Sequence, residues 1–375
     1  MAPFTRRSPI VRSIAGTATV VGLLAACGAS TGNTEVHQAP RAAEQAACQP
    51  QVLLLPTRTE GDESAATAIN NDGWVAGWLT DPNGEKAAVL WRDNAPPLDL
   101  GVRGLPGDIN DDGVILINHV GRRHTAFLWE NGAVRRLSGT SSRPMVNVSA
   151  LNDDGVAVGM VWGHGTSRRA AAWRNGQIHV LRPPSGAPPE KNYASADVND
   201  RGLVIGWGYR SWWRTGGRAE KLLVPAGMSP SARARATHVD NRGRILGFIL
   251  LQHGGGGQGP VLRWTSVHRK PTKHPSWRVS ALDPTSGFLV GFDLRSSRTS
   301  VAHITNMRPA PLPDPPVPAE GITAEFTEAE DVATGRSPYA PDGGVAVAGF
   351  VHYVSDSGYS RGRRAVLWTC AQTYR

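Results

Sequence analysis

A short acidic phrase of the form Asn-Asp-Asp-Gly recurs along the chain, and clusters of acidic side chains are able to bind calcium. It stands at 110–113 and 152–155, with the variants NNDG at 70–73 and NDRG at 199–202. A calcium loop of the EF-hand type also needs alternating oxygen ligands and a closing glutamate, which these phrases lack. Asn and Asp hydrogen-bond to their own backbone, and glycine adopts positive φ at a tight corner. The phrase therefore predicts a turn between two strands.

Motifs for zinc or redox chemistry are absent from the sequence: no H-E-x-x-H or C-x-x-C occurs, and the 11 histidines show no metal-ligand spacing. G-x-S-x-G occurs at 28–32 and 358–362, but a nucleophilic serine of this type lies on a turn from a strand into a helix, and no helical pattern follows either copy. The run GGGGQG (254–259) fits G-x-G-x-x-G, but a strand follows it where a dinucleotide site requires a helix. We therefore predict no metal, no cofactor and no catalytic residue. An alternative is an enzyme whose active site is built from single residues of several repeats.

The acidic phrase lies at the centre of a repeating unit. It is flanked by apolar segments, as in ALNDDGVAVGM (150–160), and recurs every 40 to 47 residues as far as ALDPTSGFLVGF (281–292), with a last, looser copy at APDGGVAVAGF (340–350). A second apolar segment such as TAFLW (125–129) follows, then a tight turn such as Asn-Gly and a short strand. The pattern of each unit predicts four short strands, named a to d here, and the segments between them show no helical periodicity.

Seven such units across residues 48–375 predict an all-β fold, a seven-bladed β-propeller of four-stranded antiparallel blades. A β-solenoid or two packed sandwiches are alternatives. The seventh unit lacks a d strand, whereas an unpaired strand stands at 48–57. We predict that this N-terminal strand closes the ring. Closure would place Cys48 beside Cys370 in a disulfide, with two unpaired thiols as the alternative.

The repeated pattern resembles the HAF family of extracellular repeat proteins. The resemblance rests on NDDG, a glycine three or four residues later, the segment AFLW (126–129) and the Asn-Gly turn. It covers nearly all of the chain after residue 48, clearly in units one to five and loosely in six and seven. In unit six Ile304 replaces the usual tryptophan. The resemblance implies an exported, propeller-like protein and brings no activity or catalytic residues.

The N-terminus has the pattern of an export signal. Residues 1–26 combine a basic start with an apolar run too short to span a bilayer. The sequence LAAC (24–27) resembles the bacterial lipobox, so we predict that Cys27 carries a lipid; an ordinary secretory signal is the alternative. Residues 27–47 predict a flexible tether. The protein is therefore expected at the cell membrane, lipid-anchored and facing the extracytoplasmic side.

Tryptophan recurs at fixed strand positions. Six tryptophans share one position at the end of strand c, and two more share a position in strand b: Trp91, Trp129, Trp173, Trp213, Trp264 and Trp368, then Trp78 and Trp207. Periodic aromatics predict packing between blades. Trp162 and Trp277 fall outside these positions, which makes them candidates for ligand contact.

One face of the predicted propeller is expected to be basic. The b-to-c and d-to-a connections emerge on one side, called the loop face, and the short a-to-b and c-to-d turns on the other, called the turn face. The chain has a formal net charge of +9, and the b-to-c connections concentrate that excess. Their arginines are candidate ligand-binding residues: Arg122, Arg123, Arg168, Arg169, Arg210, Arg295, Arg298, Arg361, Arg363 and Arg364.

These features predict a binding or scaffold module, acting as a monomer, that recognises an anionic cell-envelope polymer or a protein through the basic loop face. The alternative is that the basic loop face is ordinary solvated surface that binds no partner. Nucleic acid is excluded as a partner by the expected compartment. The alternative function is a propeller enzyme, a lyase or hydrolase acting on a polysaccharide or small molecule at the central channel. Acids or histidine at the channel mouth would favour the enzyme.

Overall fold

The computed structural model describes residues 51–59, 62–93, 95–119, 124–188, 191–208, 211–217, 219–225, 227, 233–250, 258–275, 277–335 and 344–371. All of them belong to one compact unit, Cys48–Arg375. The described residues form seven separate four-stranded antiparallel sheets arranged as a seven-bladed β-propeller. The predicted fold class is therefore confirmed.

The strands of each blade follow one another in the chain. Blade one contains β2 (Ser64–Ile69), β3 (Val75–Thr80), β4 (Lys86–Trp91) and β5 (Leu98–Arg103). Blade two contains β6 (Leu105–Ile109), β7 (Ile115–His119), β8 (Thr125–Glu130) and β9 (Ala133–Leu137). Blade three contains β10 (Met145–Leu151), β11 (Ala157–Trp162), β12 (Arg169–Arg174) and β13 (Gln177–Val180). Blade four contains β14 (Ala194–Val198), β15 (Leu203–Trp207), β16 (Trp212–Thr215) and β17 (Glu220–Lys221).

The later blades have the same strand order. Blade five contains β18 (Arg233–Val239), β19 (Ile245–Leu250), β20 (Gln258–Trp264) and β21 (Thr272–His274). Blade six contains β22 (Trp277–Leu282), β23 (Phe288–Asp293), β24 (Arg298–His303) and β25 (Ala310–Pro311). Blade seven contains β26 (Ile322–Thr334), β27 (Val345–Ser355), β28 (Ser360–Thr369) and, from the other end of the chain, β1 (Gln51–Leu54).

The ring closes through the N-terminal strand, as predicted. β1 pairs antiparallel with β28, from Gln51 opposite Thr369 to Leu54 opposite Val366. Cys370, the next residue after β28, is disulfide-bonded. Its predicted partner Cys48 lies outside the described residues, so that pairing stays a prediction.

The acidic phrases form the a-to-b turns, as their residue types predict. In the phrase at 110–113 the side-chain oxygen of Asn110 accepts the backbone N–H of Val114 at 2.8 Å, and Gly113 has φ 76°. Glycine fits this corner because it has no Cβ to oppose positive φ. Blade seven departs from the pattern because β26 ends at Thr334 and residues 336–343 lie outside the described chain.

The recurring tryptophans pack between blades. Trp91, Trp173, Trp264 and Trp368 are fully buried, and Ile304 is buried as well, although Ala302 is the residue of blade six that pairs at the tryptophan position. Blade four corrects the prediction: Trp212 is buried, whereas Trp213 is half-buried. Gly206 explains the exchange, because a Cβ there would meet the Trp212 ring at 2.1 Å, as one at Gly77 would meet the Trp91 ring.

Candidate functional site

The innermost strands of the seven blades line a central channel of about 220 Å³. Each of these a strands contains a β-bulge near its middle. The residue that follows the bulge is ionisable in four blades and lines the channel: Asp108, Asp197, His238 and Asp331. Carboxyl groups and an imidazole therefore meet at one depth of the channel, as a catalytic site would require.

The three channel aspartates, however, are occupied by structural hydrogen bonds. Asp197 accepts one backbone N–H from Val198 and one from Val239 of the next blade, both at 2.7 Å. The same blade-to-blade bond recurs in two further pairs, Asp108 with Leu151 and Asp331 with Ile69. Both oxygens of each carboxyl group are thus used to hold backbone, which favours a structural role over general acid or base catalysis.

Burial in the channel shifts the pKa of these side chains. It raises the pKa of Asp197 to about 7 and that of Asp108 to about 6, and nearby aspartates add to both shifts. Burial also raises the pKa of Asp331 well above its usual range, and lowers the pKa of His238 to about 4. Both directions have the same cause, because a poorly hydrated site disfavours the charged form of either group.

At the turn-face end of the channel, the second residue of each acidic phrase joins a ring of hydrogen bonds. The backbone N–H of Asn71 donates to Asp111, that of Asp111 to Asp153, that of Asp153 to Asp200 and that of Asp200 to Asn241, at 2.9 to 3.1 Å. Burial, with the charges of neighbouring aspartates, raises the pKa of Asp153 to about 6. The acidic phrases therefore fasten one blade to the next.

Metal binding finds no support in this arrangement. Across the described part of the chain, no three His, Cys, Asp or Glu side chains are grouped so that they could hold a metal ion. In the same residues, no helix has the length and hydrophobicity needed to cross a bilayer.

The loop-face end of the channel opens into a second cavity of about 390 Å³ between blades seven, one and two. We call it the entrance pocket; its lining includes Trp78, Lys86, Ser280, Glu330, Phe350 and Arg363. The Lys86 ammonium lies 3.9 Å from the centre of the Trp78 ring, and the Arg363 guanidinium lies 4.7 Å from that of Phe350. Ser280 and Glu330 also line the channel, so the two cavities meet there.

A further cavity of about 650 Å³ lies beside the entrance pocket, between blades six and seven. It shares Ser280 and Glu330 and adds Arg278 and the exposed rings of Phe292 and Phe326. The loop-face end of the channel therefore combines cations, the half-buried acid Glu330, the exposed acid Glu328 and aromatic surface.

Two predicted candidates, Trp162 and Arg168, are brought together on the loop face. The Arg168 guanidinium lies 5.5 Å from the centre of the Trp162 ring. Both line a cavity of about 460 Å³ together with His164 and Asn192. The residues come from the b-to-c connection of blade three and from the segment that leads into blade four.

The other predicted arginines differ in their surroundings. Arg295 and Arg361 are exposed, Arg363 and Arg364 are half-buried, and Arg298 is paired with Asp314 at 2.9 Å. Arg169 donates to the backbone carbonyls of Arg168 and Lys191, both at 3.0 Å, so it fixes the loop. The remaining predicted residues lie outside the described chain: Cys27, Cys48, Arg122, Arg123 and Arg210.

Trp277 corrects one prediction. It is only 2% exposed and packs with Leu246, Leu289 and Ile304. It is the first residue of β22, the innermost strand of blade six, which explains why it faces the core and not a ligand.

Sequence reasoning missed Lys86, Ser280 and Glu330. All three lie in strands, whereas the predicted ligand contacts lie in connections or at tryptophans outside the repeat. The sequence of strand a did indicate Glu330. The unpaired residue of the bulge is a small or hydroxyl residue in blades one to six, and in blade seven it is Glu330. Aligning the seventh unit on EDVA (330–333) would have revealed it.

No protein-family model and no curated protein sequence matches the chain. Among solved structures, it is similar to the extracellular domain of BT4673 from B. thetaiotaomicron, with 10% identity, a TM-score of 0.48, and coverage of 84% of this chain and 39% of that one. It is also similar to puromycin hydrolase, with 15% identity, a TM-score of 0.35, and coverage of 80% of this chain and 59% of that one. A protein of unknown function from Dyadobacter fermentans has 9% identity and a TM-score of 0.37, with coverage of 86% of this chain and 99% of that one. The chain spans about two fifths of the length of the first. Likenesses this remote assign no activity.

Proposed function

We propose that the protein is an exported, lipid-anchored binding module that recognises an anionic cell-envelope polymer or protein through its basic loop face. The observation that carries the proposal is the cavity shared by Trp162 and Arg168. A guanidinium forms paired hydrogen bonds with carboxylate or phosphate, and an aromatic ring packs against the apolar face of a sugar. In the same cavity the side-chain oxygen of Asn192 accepts the backbone N–H of Arg168 at 2.8 Å, and its amide nitrogen is a donor for hydroxyl groups.

The export and anchoring part of the proposal rests on the sequence alone. The basic start, the short apolar run and LAAC (24–27) support a lipid on Cys27. Mass spectrometry of the mature N-terminus tests it, because an acylated Cys27 is expected as the first residue. An unmodified N-terminus elsewhere would contradict the anchor and leave the binding proposal standing.

A second candidate function is catalysis at the channel by a lyase or hydrolase. It is favoured by one residue, Glu330, whose pKa burial raises to about 7 and which makes no hydrogen bond among the described residues. A single acid of this kind suits proton transfer near neutral pH. The binding module remains the better account, because Asp108, Asp197 and Asp331 already hold backbone N–H groups.

The test is a salt series of binding to polygalacturonate, a carboxylate polymer, and to poly(glycerol phosphate). The variant changes Arg168, Arg295 and Arg361, three exposed loop-face arginines, to Glu. We expect the native protein to bind one polymer more tightly at low salt, because screening weakens exposed charge pairs. The variant should bind at least about tenfold more weakly, which corresponds to about 1.4 kcal/mol.

The matched control is Arg136→Glu, a charge reversal on the exposed outer strand of blade two. It should bind like the native protein. Absence of polymer binding by the native protein, or an equal loss in the control, would refute recognition by the loop face.

A further inference from the structure

Two cationic side chains share the entrance pocket, and the acids whose charges reach them, Glu63 for Lys86 and Glu330 for Arg363, form no ion pair with them. Lys86 begins strand c of blade one, Arg363 lies in strand c of blade seven, and both are half-buried. Among the described residues, neither side chain makes an ion pair or a hydrogen bond; each is in contact with an aromatic ring. Burial lowers the pKa of Lys86 and the charge of Arg363 adds to this shift, while the charge of Glu63 opposes it; the two cations therefore repel each other.

The fold holds these cations in place. The rings beneath them, Trp78 and Phe350, are only 3% and 4% exposed and belong to one core cluster. Cation–ring contacts are worth about 0.5 to 2 kcal/mol each, and they leave the N–H donors free to point elsewhere. Two like charges kept close together, with unused donors and a cavity beside them, are the arrangement that an anion would complete.

The opposite side of the pocket offers groups that bind hydroxyls. The Ser280 hydroxyl has no hydrogen-bond partner among the described residues, and Glu330 is likewise free. The cavity volume of about 390 Å³ is within the range of small-molecule sites, about 300 to 1,000 Å³. A carboxyl group and a hydroxyl facing two cations are poorly suited to a plain aliphatic acid but suit an anion that carries hydroxyl groups.

We propose that the entrance pocket binds an acidic monosaccharide unit, with its carboxylate or phosphate between Lys86 and Arg363 and its hydroxyls toward Glu330 and Ser280. The neighbouring cavity, with the exposed rings of Phe292 and Phe326, provides room for an adjoining sugar. This site is separate from the cavity of Trp162 and Arg168, and it does not depend on the polymer binding proposed above.

The experiment is isothermal titration calorimetry of the full chain, in mild detergent, with D-glucuronate, D-glucose 6-phosphate and D-glucose. We expect one or both anionic sugars to bind and glucose to give no signal. Binding of glucuronate alone identifies a carboxylate ligand, and binding of the phosphate alone identifies a phosphorylated one. Failure of both anionic sugars, or equal binding of glucose, would overturn the proposal.

Two variants on different blades, Lys86→Met and Arg363→Met, test the residues. Each keeps an apolar chain over its ring and removes one of the repelling charges. We expect each to weaken binding at least about tenfold. The thermal midpoint should change little, because the lost cation–ring contact and the removed repulsion have opposite effects on stability. Unchanged affinity in both would overturn the assignment.

Two further arms separate this proposal from the function proposed above. Arg136→Met, on an exposed outer strand, should bind the sugars like the native protein. The loop-face variant of Arg168, Arg295 and Arg361 should also keep sugar binding. Loss of sugar binding in that variant would overturn a separate entrance site, whatever its effect on polymers.

Discussion

The asparagine that opens an acidic phrase serves two blades at once. In Asn110 the side-chain oxygen accepts from Val114 of its own turn, and the amide nitrogen donates to the carbonyl of Asn152 in the next blade at 3.2 Å. An aspartate could make only the first of these bonds, because a carboxylate has no donor. This dual role explains why asparagine holds the position in blades one to four.

Blade five shows what happens when the residue changes. Asp240 stands at the asparagine position and pairs with Arg244 four residues later. The link to blade six is then made by the backbone N–H of Asn241, which donates to the carbonyl of Pro284 at 2.7 Å. The contact between blades is preserved, although the atoms that make it differ.

The channel acids predict that stability falls as the pH rises towards neutrality. Because the folded-state pKa of Asp197, about 7, is far above its ordinary value of 3.8, the folded chain holds a proton that the unfolded chain releases from about pH 4 upward. The contribution of Asp197 to the free energy of unfolding therefore falls as the pH rises to about 7 and is constant above that pH. Glu330 and Asp331 act in the same direction. His238, whose pKa is lowered to about 4, opposes them only below about pH 6.5.

We therefore expect the free energy of unfolding to decrease between about pH 5 and 7, measured by urea unfolding. One group contributes at most about 1.4 kcal/mol per pH unit, and less where channel water hydrates it. Asp197→Asn should lower the whole curve, because an acceptor is lost, and should flatten its slope. The exposed Asp112→Asn is the control and should leave the slope unchanged. A stability that rises across this window would refute the assigned pKa shifts.

Among the elements, strand c ties each odd-numbered blade to the blade before it. The indole Nε1 of Trp173 donates to the carbonyl of Ser138, which follows the last strand of blade two, at 2.9 Å. The equivalent bonds join Trp91 to Pro56, Trp264 to Leu223 and Trp368 to Pro313. Trp129 of blade two makes no such bond among the described residues, although it is also buried.

Trp173→Phe and Trp129→Phe form a matched pair that measures this link. Both substitutions shrink a buried ring, but only the first leaves the carbonyl of Ser138 without its donor. We expect Trp173→Phe to cost about 0.5 to 1.5 kcal/mol more than Trp129→Phe, because that is the net contribution of one hydrogen bond to stability. Chemical denaturation of both variants provides the comparison. Equal losses would show that the tryptophans act by volume alone.

The repeat made the strands predictable from the sequence. The candidate site was not predictable, because its residues lie where single blades depart from the repeat. Turns at 110–113 and 152–155 could be read from the sequence because Asn, Asp and Gly have local backbone preferences. The blade-to-blade bonds of Asp108 and Asp197 could not, since they join residues about 40 apart whose spacing depends on the ring. Trp212 and Trp213 are neighbours with identical side chains, so only the packing against Gly206 decides which is buried.

On the scale of the whole molecule, the two ends of the central channel carry opposite charges. The a strands run from the loop face to the turn face, so Glu330 lies nearer the cations Lys86 and Arg363, and the turn-face mouth carries Asp111, Asp153 and Asp200. An anion is therefore attracted to the loop-face end and repelled from the other. This polarity explains why the entrance pocket, and not the turn-face ring, is the better anion site.

Closure of the ring is the final property of the whole molecule, and it predicts the effect of the cysteines. β1 joins blade seven through antiparallel pairing with β28, and the disulfide at Cys370 lies one residue beyond that strand. If Cys48 is its partner, Cys48→Ser and Cys370→Ser should each lower the free energy of unfolding by up to about 5 kcal/mol, because the bond closes a very long loop. The double variant should lose no more than either single one, since both remove the same bond. Cys27→Ser should unfold like the native protein, and a loss there with none in Cys48→Ser would reassign the partner to Cys27.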